Sequence, residues 1–112
     1  MPTYITQGRY TREAIKGMLV KPEDRAIEIS RALGKVGGKL IGYYVTFGEF
    51  DFLTIAEAPD NTQMAAVLLS AGAGGGVTDL RTTVAMTSIE GKGAFAVASD
   101  LAPSFKSAGG VR

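Results

Sequence analysis

Residues 39–57 read as a β-hairpin with large apolar side chains on both faces, and such a hairpin needs cover on both sides. In Lys39–Phe47, Leu40, Gly42, Tyr44 and Thr46 fall on one face, and Ile41, Tyr43, Val45 and Phe47 on the other. After a tight turn at Gly48-Glu49, the return strand 51–57 sets Phe52, Thr54 and Ala56 against Leu53 and Ile55. One layer of helices covers one face of a sheet. The other face would leave on the order of several hundred Å² of apolar surface in water, which monomers rarely tolerate. Burying each large side chain contributes roughly 1.5–3 kcal/mol. The hairpin therefore predicts a second copy packed sheet to sheet, most simply as a twofold dimer.

The rest of the chain supplies the helices and two more strands. Residues 2–8 alternate, with Tyr4 and Thr6 opposite Thr3 and Ile5. Thr11 is a good N-cap for a helix carrying Ala14, Ile15 and Met18, and Pro22 interrupts it. Ala26, Ile29, Leu33 and Val36 then form one apolar stripe at helical spacing, ended by Gly37-Gly38. Pro59-Asp60-Asn61 is a turn with a cap. Met64, Val67, Leu68 and Ala71 mark a helix over 62–71 that stops in the run Gly72–Gly76. Residues 77–87 alternate again. The order is β-α-β-β-α-β, the ferredoxin-like arrangement of the α+β class. It makes a four-stranded antiparallel sheet with both helices on one face. This predicts one domain over 1–90. A tail follows over 91–112, first helical (Phe95, Ala98, Leu101, Ala102 and Phe105, limited by Pro103), then flexible from Ser107 to Arg112.

What is missing excludes whole chemistries. The chain of 112 residues has no Cys and no His. That removes thiolate nucleophiles, zinc–thiolate and iron–sulfur sites, imidazole bases and His-ligated haem. No cofactor and no metal site is expected. A net charge of +1 does not suggest a nucleic-acid partner. The charge is uneven: residues 40–79 hold five acidic residues and no Lys or Arg, between basic flanks. No signal peptide is visible, and the apolar runs fall far short of the ~20 residues that span a bilayer. A cytoplasmic, bacterial-type protein without a membrane partner is the expectation.

Four residues stand out as candidate ligand-binding groups. Glu49 and Asp51 lie two apart at the hairpin turn, where paired carboxylates can hold a cation or do acid–base work. The competing reading is turn chemistry, with Asp bonding nearby backbone N–H groups. Tyr43 and Tyr44 point to opposite faces, one to the helices and one, taken as Tyr44, to the cavity of a dimer. Arg81 is the only basic residue between Lys39 and Lys92. Lying in the last strand, it must be paired, exposed or anchoring an anion. Gly72–Gly76 is not a phosphate loop, because no Lys-Ser/Thr follows and it trails a helix.

Several segments together resemble the GYD-domain family. They are Met1-Pro2-Thr3-Tyr4-Ile5, the entry Gly34/Gly37-Gly38-Lys39-Leu40, the run Gly42–Asp51, and Arg81-Thr82-Thr83. Gly48-Glu49-Phe50-Asp51 stands where the family has its Gly-Tyr-Asp tripeptide, with Phe50 keeping the aromatic ring without the hydroxyl. The resemblance covers roughly residues 1–90. It implies a dimeric α/β barrel and carries over no catalytic residue. Gly48–Ile55, Pro59-Asp60 and Gly76–Thr83 are also similar to the ligand-binding domain of leucine-responsive feast/famine regulators. There the corresponding turns lie near effector sites between subunits. No helix-turn-helix precedes the sheet, so DNA binding is not implied. The combined expectation is a homo-oligomeric α/β-barrel protein that binds a small molecule at the sheet face or subunit interface, lined by Tyr44, Glu49, Asp51 and Arg81. One alternative is a cofactor-independent monooxygenase or isomerase, the other barrel chemistries, with Glu49 or Asp51 as base and a tyrosine as donor. The other is a structural or partner-binding oligomer without ligand.

Overall fold

The computed structural model describes residues 1–110. Strand β1 (Thr3–Tyr10) is followed by helices α1 (Arg12–Val20) and α2 (Arg25–Lys35), strands β2 (Lys39–Val45) and β3 (Phe52–Glu57), helix α3 (Asn61–Ala73), strand β4 (Val77–Ala85) and helix α4 (Ser88–Leu101), which ends in a 3-10 turn, Ala102–Ser104. The four strands form one antiparallel sheet in the order β2-β3-β1-β4. This is the ferredoxin-like α+β arrangement that the periodicities predict. No helix among the described residues is long and apolar enough to cross a membrane.

The caps sit where the sequence carries polar residues of the right kind. Thr11 accepts from the Ala14 N–H, Asp24 from Ala26 and Asp60 from Gln63. The first helical segment is thus two helices: α1 stops at Lys21, and α2 restarts from the Asp24 cap, three residues later than Pro22 suggests. The chain turns after α2 through Gly37, at φ 79°. Strand β2 ends at Val45, and residues 46–51 form a loop instead of a two-residue turn. Strand β4 ends at Ala85, two residues before the predicted limit. A full capping box opens α4: Thr87 accepts from the Glu90 N–H while the Glu90 carboxylate accepts from the Thr87 N–H. That bond holds the Glu90 carboxyl below its ordinary pKa. At the far end, the Gly110 N–H closes a turn onto the Ser107 carbonyl; Val111 and Arg112 lie outside the described residues.

The core lies between the sheet and helices α2 and α3. Tyr4, Leu33, Ala56, Ala58, Met64 and Val67 are buried together, with Leu33 fully enclosed. Along β1 and β3, Tyr4, Thr6, Gly8, Phe52, Thr54 and Ala56 face the helices, while Ile5, Gln7, Leu53 and Ile55 face away.

Strand β2 departs from simple alternation. A bulge between Leu40 and Gly42 inserts Ile41 without its own partner. Leu40 and Tyr43 therefore share the helix-facing side, opposite to the strict period-two reading, and Tyr44 falls on the open face. A second bulge, in β4, sets Asp79 and Leu80 against Gly8, with Asp79 at φ 53°.

Helix α4 stands away from this body. It has no buried residue, and its main contacts are with the 3-10 turn that follows it. The Cα radius of gyration is 18.2 Å, against ~13 Å for a compact chain of this length.

Leu33→Ala is expected to lower stability by about 2–5 kcal/mol, because it opens a cavity at the most enclosed point of the core. Urea denaturation followed by circular dichroism reads this as a large drop in midpoint.

Candidate functional site

Cross-strand rows assign the side chains to the two faces. On the helix side, Tyr43, Thr54, Thr6 and Thr82 are register partners across all four strands. The Thr6 and Thr82 hydroxyls are hydrogen-bonded at 2.9 Å. Above this polar row lies a cavity of about 590 Å³ between the sheet and the helical layer. Its walls are mostly apolar, with Leu33, Met64, Val67 and Leu80 among them, and α1 closes one side through Ala14, Gly17 and Met18. Lys21, Glu23, Arg25 and Glu28 also line it and supply its charges.

Two phenols meet in this cavity. The Tyr10 and Tyr43 hydroxyls are 2.6 Å apart, and the Phe52 ring packs against both, at 5.2 Å from Tyr10 and 5.8 Å from Tyr43. The arrangement needs a glycine at position 8. A Cβ there would lie 2.6 Å from Phe52 Cζ and 2.7 Å from Leu80 Cδ2. Burial, then the bond to Tyr10, pushes the Tyr43 pKa well above its ordinary value of 10.0. Tyr43 is therefore a hydrogen-bonding neutral phenol and not a base.

Wall α1 is fixed at its N-terminus. The Thr11 N–H donates to the Gly76 carbonyl at 3.0 Å, and its hydroxyl to the Gly75 carbonyl at 2.8 Å. The glycine run thus ends α3 and ties it to α1.

The four sequence candidates lie elsewhere, and none of them lines the cavity. Tyr44 and Arg81 stand at the two ends of one row across the open face, Tyr44–Leu53–Gln7–Arg81. Three strand spacings, roughly 14 Å, separate the strands that carry them. Tyr44 is 57% exposed, with its ring over Gly42. The Arg81 guanidinium sits 5.5 Å from the Phe50 ring centroid, and Arg9 is at the same distance. Arg9 also pairs with Asp79 at 3.6 Å and donates from Nε to the Glu49 carbonyl at 2.7 Å.

Asp51 joins the same loop to the sheet. Its Oδ2 accepts from the Tyr10 N–H at 2.9 Å, and its own N–H donates to the Gly8 carbonyl. Glu49 is exposed at the tip. The structure therefore gathers Glu49, Phe50, Asp51 and Arg81 around the β2–β3 loop and leaves Tyr44 at the sheet's far edge. Tyr10 and Phe52 are the cavity residues that sequence reasoning missed. The alternation of β1 extended to residue 10 is the signal that finds Tyr10; Phe52 already stood in the alternation of the strand over 51–57, and no local signal tied it to a cavity. Among the described residues no group of three or more carboxylates is arranged to hold a metal ion.

Comparison with known proteins agrees with this architecture. The profile of the GYD domain matches residues 4–94. The crystal structure of a hypothetical protein, PHS023 from Pyrococcus horikoshii, superposes with a TM-score of 0.50 at 14% identity, over 78% of this chain and 92% of that one. The crystal structures of FFRP-DM1 and of TTHA0845 from Thermus thermophilus each give a TM-score of 0.49 at 16% identity. They cover 77% and 78% of this chain, and 100% and 95% of their own. No curated protein sequence matches the chain.

Substitutions at two positions test these assignments. Tyr43→Phe is expected to cost about 1 kcal/mol at neutral pH through the lost bond to Tyr10. The raised Tyr43 pKa also makes stability pH-dependent. The gain from keeping the phenol neutral is complete below pH 10 and is lost as pH rises toward the higher folded-state value. Tyr43→Phe should flatten that alkaline loss in pH-dependent urea titrations. Asp51→Ala is expected to cost about 1.5 kcal/mol, and Asp51→Asn less, since the amide oxygen still accepts from Tyr10; urea midpoints separate the two.

Proposed function

The chain belongs to the GYD-domain family, and we propose that it is a homo-oligomeric binding module that holds a small molecule in the cavity between its helices and its sheet. The observation that carries this reading is a cavity of about 590 Å³ with apolar walls and a hydrogen-bonded pair of phenols inside. Its size and its few convergent polar groups are those of small-molecule sites in general. The phenol pair favours a ligand oxygen that shares hydrogen bonds with hydroxyl groups. The apolar walls favour a mostly hydrocarbon or aromatic body.

Binding is favoured over catalysis by what the cavity lacks. Asp51 spends a carboxylate oxygen on the backbone, Glu49 is exposed at the loop tip, and neither lines the cavity. Of the two carboxylates that do, Glu28 is engaged by Arg31, which holds its pKa down. A base with a raised pKa beside the phenols is what an isomerase or monooxygenase reading needs. In this reading the sequence candidates Tyr44 and Arg81, with Leu53, Ile55 and Ile5, serve the open face against a second copy, and Glu49 and Asp51 hold the loop at its margin.

Native mass spectrometry of protein purified from its own host, before and after denaturation, tests both halves. The expected result is an even oligomer whose native mass exceeds that of its chains by a discrete small molecule. Ala71→Trp fills the cavity from α3 and should abolish the extra mass while the circular dichroism spectrum is kept. A ligand retained equally by Ala71→Trp would place binding outside the cavity, and a clean native mass in the wild type would remove the binding reading.

A further inference from the structure

We propose that α4 is an exchange arm, packing across the β2 edge of a second copy of this chain over Ile41 and Tyr44. The proposal rests on the second-copy half of the reading above and is independent of the cavity.

The arm is a well-made helix that buries none of its residues against the described chain. Its capping box is complete and it runs for 14 residues. An isolated helix of this length is marginal in water and takes its stability from an apolar face packed on something else. Ala94, Val97, Ala98 and Leu101 stand at positions i, i+3, i+4 and i+7, one side of the helix, with Phe95 adjoining. Phe95 is 80% exposed, and Val97, Leu101 and Phe105 are open as well. The stripe runs into an open hollow formed by Leu101, Ala102, Pro103 and Phe105 at the tip.

The receiving surface follows from the strand order. β2 is an edge strand on which Ile41, Tyr44 and Val45 are exposed, Tyr44 on the open face and Val45 on the helix-facing one, and the following Phe47 is fully exposed. Edges of this kind are normally blunted or covered. Within one chain, β2 and β4 are at opposite ends of the sheet. Only Met86 and Thr87 connect β4 to α4, so the arm starts at the end of the sheet away from its own β2 edge. A twofold axis running along the strands, with the two open faces together, brings β4 of each copy over β2 of the other. Each copy then offers one arm and one uncovered edge, and a closed pair satisfies both. The area agrees. Two phenylalanines carry on the order of 300 Å². Two such arms carry roughly 600 Å² of aromatic side chain, and the partner surface they cover roughly doubles it, which reaches the ~1,200 Å² at which stable interfaces begin.

The chain has no cysteine, so introduced ones report cleanly. Full-length Ile41→Cys and Val97→Cys chains, mixed and oxidised, should give a mixed disulfide dimer well above either chain alone. Phe95→Asp with Leu101→Asp should weaken the dimer about tenfold or more in dilution light scattering. The circular dichroism spectrum of the variant should remain that of the folded body, since none of these residues is buried in it. Val97→Cys crosslinking to Leu19→Cys on α1 in preference to Ile41→Cys would overturn the proposal, as would an arm variant that dimerises as tightly as wild type. The latter leaves the sheet-face dimer standing. A monomeric wild type would remove both, and neither result bears on ligand retention.

Discussion

The contact of the Phe52 ring with the bare backbone of Gly8 organises this molecule. It sets the first residue of β3 against the central strand, and the ring then serves as the shared neighbour of Tyr10 and Tyr43. Three consequences follow from one missing side chain. The β2–β3 hairpin is held in register with β1. Two phenols from strands that are not neighbours meet at hydrogen-bond distance. And the cavity floor keeps a polar row, Tyr43–Thr54–Thr6–Thr82, beneath apolar walls. A Cβ at position 8 would lie under 3.0 Å from the ends of the Phe52 and Leu80 side chains, so the ring would have to turn into the cavity it lines and lose its place between Tyr10 and Tyr43.

The fold was legible in the sequence because it is written in periods. Leu33, the most enclosed side chain, is the third member of the stripe Ala26-Ile29-Leu33-Val36, and the alternation of Tyr4, Thr6 and Ile5 gives the faces of β1 directly. What escaped depends on contacts distant along the chain. The β2 bulge adds one residue at Ile41 and moves Leu40 to the side of Tyr43; Gly42 beside it is its local sign, since a glycine inside a strand often marks a bulge. The loop at 46–51 folds onto β1 through Arg9 with Glu49 and Tyr10 with Asp51, pairs some 40 residues apart. Reading Asp51 as a ligand group and reading it as a backbone acceptor use the same residue, and only the position of the Tyr10 N–H decides between them. The tyrosine pair was legible as opposite in direction. Which of the two met an enclosed volume was not, because that volume is made by α1, α2 and α3 together.

Arg81 illustrates how an aromatic ring accommodates a charge on a sheet. Its guanidinium lies against the Phe50 ring, as does that of Arg9, and Asp79 neutralises Arg9 from a bulge. A planar, weakly hydrated cation suits an aromatic face. The aromatic at position 50 therefore serves as a platform for arginines through its ring, a role that asks nothing of a phenol hydroxyl. That is consistent with a phenylalanine where the family has tyrosine.

The distribution of apolar surface divides this small domain into two separate regions. The inner face of the sheet is covered by the chain's own helices and still leaves a cavity, while the open face, the β2 edge and α4 have no cover from the described residues of the chain itself. These surfaces belong to one continuous problem, since the strand order puts the arm at one end of the sheet and the bare edge at the other. Folding back would require α4 to cross the whole sheet from a two-residue connection. Reciprocal exchange requires only a second copy. It leaves the inner cavity untouched, because that cavity opens among the helices, on the face turned away from the partner. The two proposals are therefore separable by mutation: residues of α4 and β2 test the assembly, and Tyr43 and Ala71 test the cavity.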